Sequence, residues 1–255
     1  MSMERAITLQ ALLDSQKEVD VPDAFILQNP KLLKVQMEAS GGQVLTKAGS
    51  MVAYQGQMNF ARKGGGAGKW IKKAVSGEQF TLMEATGSGD LFLADAANDI
   101  ILLYMNNEAM GVESLNLLAF TPSISWDIAM IKGGAGMMTG GLFCVQLQGT
   151  GYLALISKGE PMALAVTPDQ PTYTDPNATI AWSSTLEPTV NVDVNLKSLK
   201  GIFGSATSGE TFQLKFQGQG YVIVQPSEVQ PTTSMAGQQG GGGSAGGILG
   251  GILGQ

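Results

Sequence analysis

The chain is predicted to be an all-β protein built on a threefold internal repeat and arranged as a sandwich or barrel. Three observations predict this. First, the same phrase occurs three times: Phe80 leading to Gly87-Ser88-Gly89 and Leu91-Phe92-Leu93, Phe143 leading to Gly149-Thr150-Gly151 and Tyr152 to Leu155, and Phe212 leading to Gly218-Gln219-Gly220 and Tyr221 to Val224. The first glycines are 62 and 69 residues apart, which marks a duplicated supersecondary unit and not a solenoid turn. Second, apolar residues alternate with period two between closely spaced turn signals. Third, the 255 residues include 35 glycines while only 14% are charged, against roughly 25% in an average domain. That combination fits short strands, tight turns and a surface partly covered by other subunits.

Along the chain, residues 4–17 carry Ile7, Ala11 and Leu12 at helical spacing, with Leu9 and Leu13 beside them. They predict a short amphipathic helix that Asp20 to Pro22 breaks. From Phe25 the period changes to two: Phe25, Leu27, Leu33, Val35 and Met37 alternate with polar partners across an Asn29-Pro30 turn signal. Gly41-Gly42 punctuates the next step, Val44-Leu45 opens another strand, and Met51 to Met58 continues the β pattern. Residues 61–75 are expected to be a basic glycine-rich loop leading into one or two helical turns. Phe212, Leu214 and Phe216 face one way while Gln213, Lys215 and Gln217 face the other. Glycine on both sides of one residue permits the positive φ of a tight hairpin or a bulge, and the repetition favours a hairpin. Asn106-Asn107, Thr121-Pro122, Lys132-Gly133-Gly134, Lys158-Gly159 and Asp175-Pro176-Asn177 mark further turns. The expected division is 1–24 as a helical extension, 25–230 as the repeated core and 231–255 as a glycine-rich tail. The tail ends in a doubled Gly-Ile-Leu-Gly, so Ile248, Leu249, Ile252 and Leu253 are candidates for an apolar hook on a flexible tether.

The segment Gly68-Lys69-Trp70-Ile71-Lys72-Lys73-Ala74-Val75-Ser76-Gly77-Glu78-Gln79-Phe80 precedes the Gly87-x-Gly89 turn. With Ala48 to Ala53 upstream, and Ser208-Gly209-Glu210 and Gln225-Pro226-Ser227 downstream, it resembles the altered inheritance of mitochondria protein 24 family, bacterial proteins of unknown function with a mitochondrial relative. The resemblance covers roughly residues 25–228. It implies a fold like that of the tryptophan RNA-binding attenuation protein, a short double-stranded β-helix with pseudo-threefold repeats, and homotrimers. It carries no established catalytic residues.

The chemistry the chain carries is mostly exclusion. It has no histidine, which removes Ser-His-Asp and Cys-His nucleophile systems and the histidine-carboxylate metal sites of many β-barrel enzymes. The one cysteine, Cys144, rules out an intramolecular disulfide; it sits in a strand-like run, where an apolar filler outweighs a reactive thiol. Glycines before Lys69 fall short of a P-loop, because Lys63 stands at the first glycine position and Trp70 replaces the hydroxyl. Glu78 and Glu210 hold matching places in two repeats, but the middle one has Leu142, and equivalent turns of a threefold unit point apart. Asp90, Asp95 and Asp99 lack the ligand density of a calcium loop. Met137-Met138 reads as core or interface filling. Arg62, Lys63, Lys69, Trp70, Lys72 and Lys73 remain as a candidate anion or partner site, with lysines for phosphate and Trp70 for stacking. A net charge of −6 and a pI near 4.7 weigh against nucleic acid as a general ligand.

The expected function is therefore a non-enzymatic, self-assembling scaffold or binding module, a homo-oligomer with a trimer favoured and an unidentified protein partner. It uses no cofactor and no metal. The alternative is a nucleic-acid-binding protein using residues 62–73. The longest apolar run, Ile100 to Met105, is far short of the ~20 residues a spanning helix needs. With no secretory signal and no disulfide framework, a cytoplasmic location is expected.

Overall fold

Alternation and turn chemistry give the strands predicted above, and their pairing gives the fold. The computed structural model describes residues 6–63, 81–131, 142–192 and 212–227. Among the described residues, one α-helix, α1 (Leu9–Ser15), precedes β1 (Phe25–Asn29), β2 (Leu32–Gln36), β3 (Gln43–Lys47), β4 (Met51–Lys63) and β5 (Leu82–Leu93). Then come β6 (Asp99–Glu113), β7 (Leu117–Phe120), β8 (Ile124–Ile131) and β9 (Leu142–Ser157). The last third holds β10 (Met162–Val166), β11 (Thr172–Thr174), β12 (Thr179–Ser183), β13 (Thr189–Val192), β14 (Phe212–Phe216) and β15 (Gly220–Val224). The fold is all-β. Twelve strands form one antiparallel sheet with the path β1-β2-β5-β3-β7-β9-β6-β12-β15-β10, with β4 beside β5 and β8 beside β9. Strands β11, β14 and β13 form a second, three-stranded sheet.

The Gly-x-Gly phrases are not hairpin turns, contrary to the expectation. They are the places where a strand changes partners. Residues 82–86 of β5 pair with β3, residues 90–93 pair with β2, and Gly87 to Gly89 lies between the two ladders. In β9, residues 142–149 pair with β8 and 153–155 with β7, with Gly149 to Gly151 at the change. Gly218 lies between β14, in the small sheet, and β15, in the large one, which Gly220 opens. Glycine suits both the hairpin and this corner because either needs positive φ, and Gly87 and Gly89 have φ of 142° and 100°.

Asn106-Asn107 is likewise a bulge and not a turn. It sits inside β6, with φ of 55° at Asn107 and a register shift between Met105 and Glu108. Met105 pairs with Gly151 and Glu108 with Gly149, so the bulge lies opposite the corner in β9 and the two strands bend together. Thr121-Pro122 and Lys158-Gly159 do connect strands, and Asp175-Pro176-Asn177 opens a 3-10 turn over Pro176–Ala178 that Asp175 caps. Lys132-Gly133-Gly134 and Met137-Met138 lie outside the described residues.

Three apolar clusters fill the interior. Phe25, Leu33, Val35, Met37, Leu91 and Leu93 form the one nearest the N-terminus. Leu82, Met110, Val112, Leu117, Phe120 and Leu153 form the middle one. Trp182, Leu214, Phe216 and Val222 form the third, where Cys144 is a buried filler. Each such side chain contributes about 1.5–3 kcal/mol by leaving water. Helix α1 belongs to none of them. It is shorter than residues 4–17: Thr8 is its N-cap, its Oγ1 accepting from the Ala11 N–H, and it ends at Ser15.

Candidate assembly surface

The most unusual element is β4. From Met51 to Arg62 every side chain is exposed except Met58 and Phe60, which are half-buried. An ordinary sheet strand buries at least one face; this one buries only part of one, at Met58 and Phe60. Among the described residues it pairs with β5 alone, and no other described strand bonds to its outer edge. From Ala53 to Lys63 it runs in unbroken register with β5, and the one shift lies at its first residues, between Met51 and Ala53. No charged residue occurs between Met51 and Ala61. Val52 is 60% and Tyr54 47% exposed. Tyr54 meets Phe60 edge-on at 5.6 Å, while Met58 and Phe60 lean on the N-terminal cluster. The ladder is held close by glycine: a Cβ on Gly56, Gly87 or Gly89 would run into the backbone oxygen of Ser88, Gln57 or Gln55.

A second uncovered apolar surface is α1. It buries none of its residues, and Leu9, Leu12 and Leu13, which share one helical face, are all exposed. The stretch that follows is tied down. Val19 exchanges two hydrogen bonds with the Gln28 amide, at 2.8 and 3.0 Å. Gln36 donates to Asp20 at 3.1 Å. The Lys34 ammonium, 2% exposed, lies 3.5 Å from Glu18, 3.6 Å from Asp20 and 3.9 Å from Asp90. The sequence reading missed Lys34, whose place in an alternating strand marked it as solvated. The acidic excess of residues 18–23 was the available signal.

Asp90, Asp95 and Asp99 do not converge. Each faces a different lysine: Lys34, Lys47 at 2.9 Å and Lys31 at 2.9 Å. No three His, Cys, Asp or Glu side chains among the described residues are placed to hold a metal ion. A cavity of about 380 Å³ lies between the Lys47–Asp95 pair, Lys158 and the buried amides of Asn116 and Gln225. Its floor is internally satisfied: Gln225 Oε1 accepts from Asn116 at 3.4 Å and from the Lys158 N–H at 2.9 Å, and its Nε2 donates to Asn177 O. At the surface Tyr152 donates to Asp23 at 2.9 Å and stacks on Phe25. That hydrogen bond to the carboxylate, more than burial, pushes the phenol pKa above the usual tyrosine value.

Of the predicted basic site, Arg62 is exposed near the end of β4, opposite Met83, and Lys63 closes the ladder opposite Leu82. Lys69, Trp70, Lys72 and Lys73 lie outside the described residues, as do Glu78, Glu210 and the tail residues Ile248, Leu249, Ile252 and Leu253. The segment from 64 to 80 joins the paired ends of β4 and β5. Among the described residues no helix is long and apolar enough to cross a membrane.

Comparison with known proteins agrees with this architecture. The family model described as mitochondrial biogenesis AIM24 matches residues 25–227. The crystal structure of protein SPYM3_0169 from Streptococcus pyogenes superposes with a TM-score of 0.61 at 22% identity, covering 80% of this chain and 92% of that one. At that identity the likeness is one of fold. No curated protein matches the chain.

Proposed function

The chain belongs to the mitochondrial biogenesis AIM24 family, and from that premise we propose that it is a non-enzymatic, self-assembling scaffold or binding module. The observation that carries the proposal is β4, a long strand with no charge from Met51 to Ala61, bonded on one edge among the described residues and largely exposed on both faces. Native proteins blunt such edges with charge, proline, bulges or a covering element, because a free edge templates pairing with another chain. The uncharged stretch of β4 has no proline and its register shift is confined to its start. No described element of the chain covers it, and a second copy or a partner is the cover this reading proposes. The exposed leucines of α1 support the same reading. The absence of histidine and the dispersal of Asp90, Asp95 and Asp99 onto separate lysines support a non-enzymatic role. A cytoplasmic site is part of the proposal, on the strength of the single cysteine.

Light scattering tests the reading. The chain mass is 26.6 kDa, and a closed homo-oligomer is expected at micromolar concentration, with a trimer of about 80 kDa favoured. A stable monomer under those conditions would remove the proposal. Salt-sensitive copurification of nucleic acid, seen as a raised 260/280 absorbance ratio, would shift the reading to the basic segment that begins at Arg62.

A further inference from the structure

The cavity beside the Lys47–Asp95 pair joins a strained wall, a cation without a counter-ion and a buried amide with one oxygen left over. Its volume of about 380 Å³ falls at the small end of the range for small-molecule sites. Among the described residues its floor is buried, at Asn116, Ile156 and Gln225, and its rim is exposed, at Ala96, Leu115 and Lys158.

The wall is the loop from Asp95 to Asn98. Ala96 and Ala97 have φ of 48° and 57°, in the left-handed region that residues with a Cβ enter only at a cost. Such strain persists where the surroundings impose it, and it gathers at ligand sites. Here lysines impose it from both ends. Lys47 Nζ donates to Asp95 at 2.9 Å, and Lys31 Nζ donates to the Ala97 carbonyl at 2.8 Å and to Asp99 at 2.9 Å.

The hydrogen bonds of the floor fix one atom as spare. Gln225 Oε1 accepts from the Lys158 N–H while its Nε2 donates to Asn177 O, which sets the orientation of that amide. Asn116 must then turn its Nδ2 toward Gln225 Oε1 and Ile156 O, since both are acceptors. Its Oδ1 remains without a partner among the described residues, although Asn116 is only 8% exposed. This oxygen is not sealed in: among the described residues Trp182 Nε1 alone is both enclosed and unbonded. The charges of the lining set the rest. Lys158 pairs with no carboxylate among the described residues. Asp95, held by Lys47, and Glu113 line the same cavity. One spare positive charge next to two carboxylates attracts one negative charge and disfavours a second.

We propose that this cavity binds a small hydroxycarboxylate with a single negative charge. Its carboxylate meets the Lys158 ammonium, its hydroxyl donates to Asn116 Oδ1, and its hydrocarbon part lies on Leu115 and Ile156. A phosphate ester carries up to two charges and fits the acidic side of the lining worse. This site goes beyond the self-assembly reading and does not depend on it.

Isothermal titration of the full-length protein tests the site with three matched pairs of acids: phenyllactate and hydrocinnamate, para-hydroxyphenylacetate and phenylacetate, hydroxyisocaproate and isocaproate. Within each pair only the hydroxyl differs, and its position varies between pairs. At least one hydroxy acid is expected to bind with a Kd below about 1 mM, and about fivefold or more tighter than its partner. Lys158→Met should weaken that binding about tenfold. Leu115→Trp should abolish it by filling the cavity. Both substitutions are at exposed positions, and circular dichroism checks that the variants fold. Three results each overturn the proposal: no hydroxy acid bound at that level, equal affinities within every pair, or either variant binding as the unaltered chain does. Light scattering reads self-assembly separately, so each reading can fail alone.

Discussion

At Gly89 the chain has no room for a methyl group. Its φ of 100° disfavours any other residue, and an added Cβ would strike the Gln55 carbonyl oxygen across the ladder. Gly89→Ala must therefore bend the β4–β5 pairing or strain its own backbone, and a loss of about 2–4 kcal/mol is expected. Chemical denaturation checks it. Gly41, also at positive φ but with open space around it, should cost less when changed to Ala. A second residue-scale effect concerns pH. The Asp23 carboxylate holds the Tyr152 phenol protonated above the usual tyrosine range. A raised folded-state pKa stabilises the protein below the unfolded value near 10, and that contribution fades as the phenol ionises at higher pH. Asp23→Asn should bring the Tyr152 titration back toward the ordinary value, read by NMR of ring-labelled tyrosine. No movement of that titration would deny the hydrogen bond its role.

At the scale of elements, the sequence was most informative where alternation meets a filled interior. Leu33, Val35 and Met37 alternate in the chain and are fully buried in the fold. The same period in Met51 to Met58 predicted a strand correctly but not its surroundings. Period two reports backbone conformation, and whether a layer covers either face depends on packing far along the chain. Gly87 to Gly89 was legible as positive φ and misread as a hairpin, since partner switching between β2 and β3 is a tertiary event. Of the basic site proposed from sequence, the described residues include Arg62 and Lys63 alone, at the end of β4. The other missed element is the tie between residues 18–20 and the sheet. Lys34 is buried, but two of its three carboxylates, Glu18 and Asp20, are well exposed and can be solvated without it. Lys34→Met replaces a buried charge by an apolar chain of similar length. The core should lose little stability, or gain some. Residues 18–20 should loosen, and trypsin should cut after Lys17 several times faster. Unchanged cleavage would mean that the Gln28 and Gln36 hydrogen bonds hold this stretch alone.

For the molecule as a whole, the pairing order shows which parts of the chain the fold can spare. β15 is one of the last strands in sequence yet lies between β12 and β10 in the large sheet. Its Val222 is buried, and Phe216 of β14 packs against Trp182 at 5.5 Å between ring centroids. A chain ending at residue 211 loses both strands. It uncovers Trp182 and the third cluster and leaves two edges open. The lost burial of Leu214, Phe216 and Val222 alone is about 4.5–9 kcal/mol, comparable to the 5–15 kcal/mol that holds a typical domain together. That chain should show no cooperative thermal transition. A chain ending at Ser227 keeps every described strand and should melt within a few degrees of the full-length protein. Comparison of those two proteins also isolates the tail. If Ile248, Leu249, Ile252 and Leu253 act as an apolar hook, assemblies larger than the basic oligomer should diminish in the chain ending at Ser227, while the basic oligomer persists. Identical mass distributions for the two would remove the hook and leave assembly to residues 1–227.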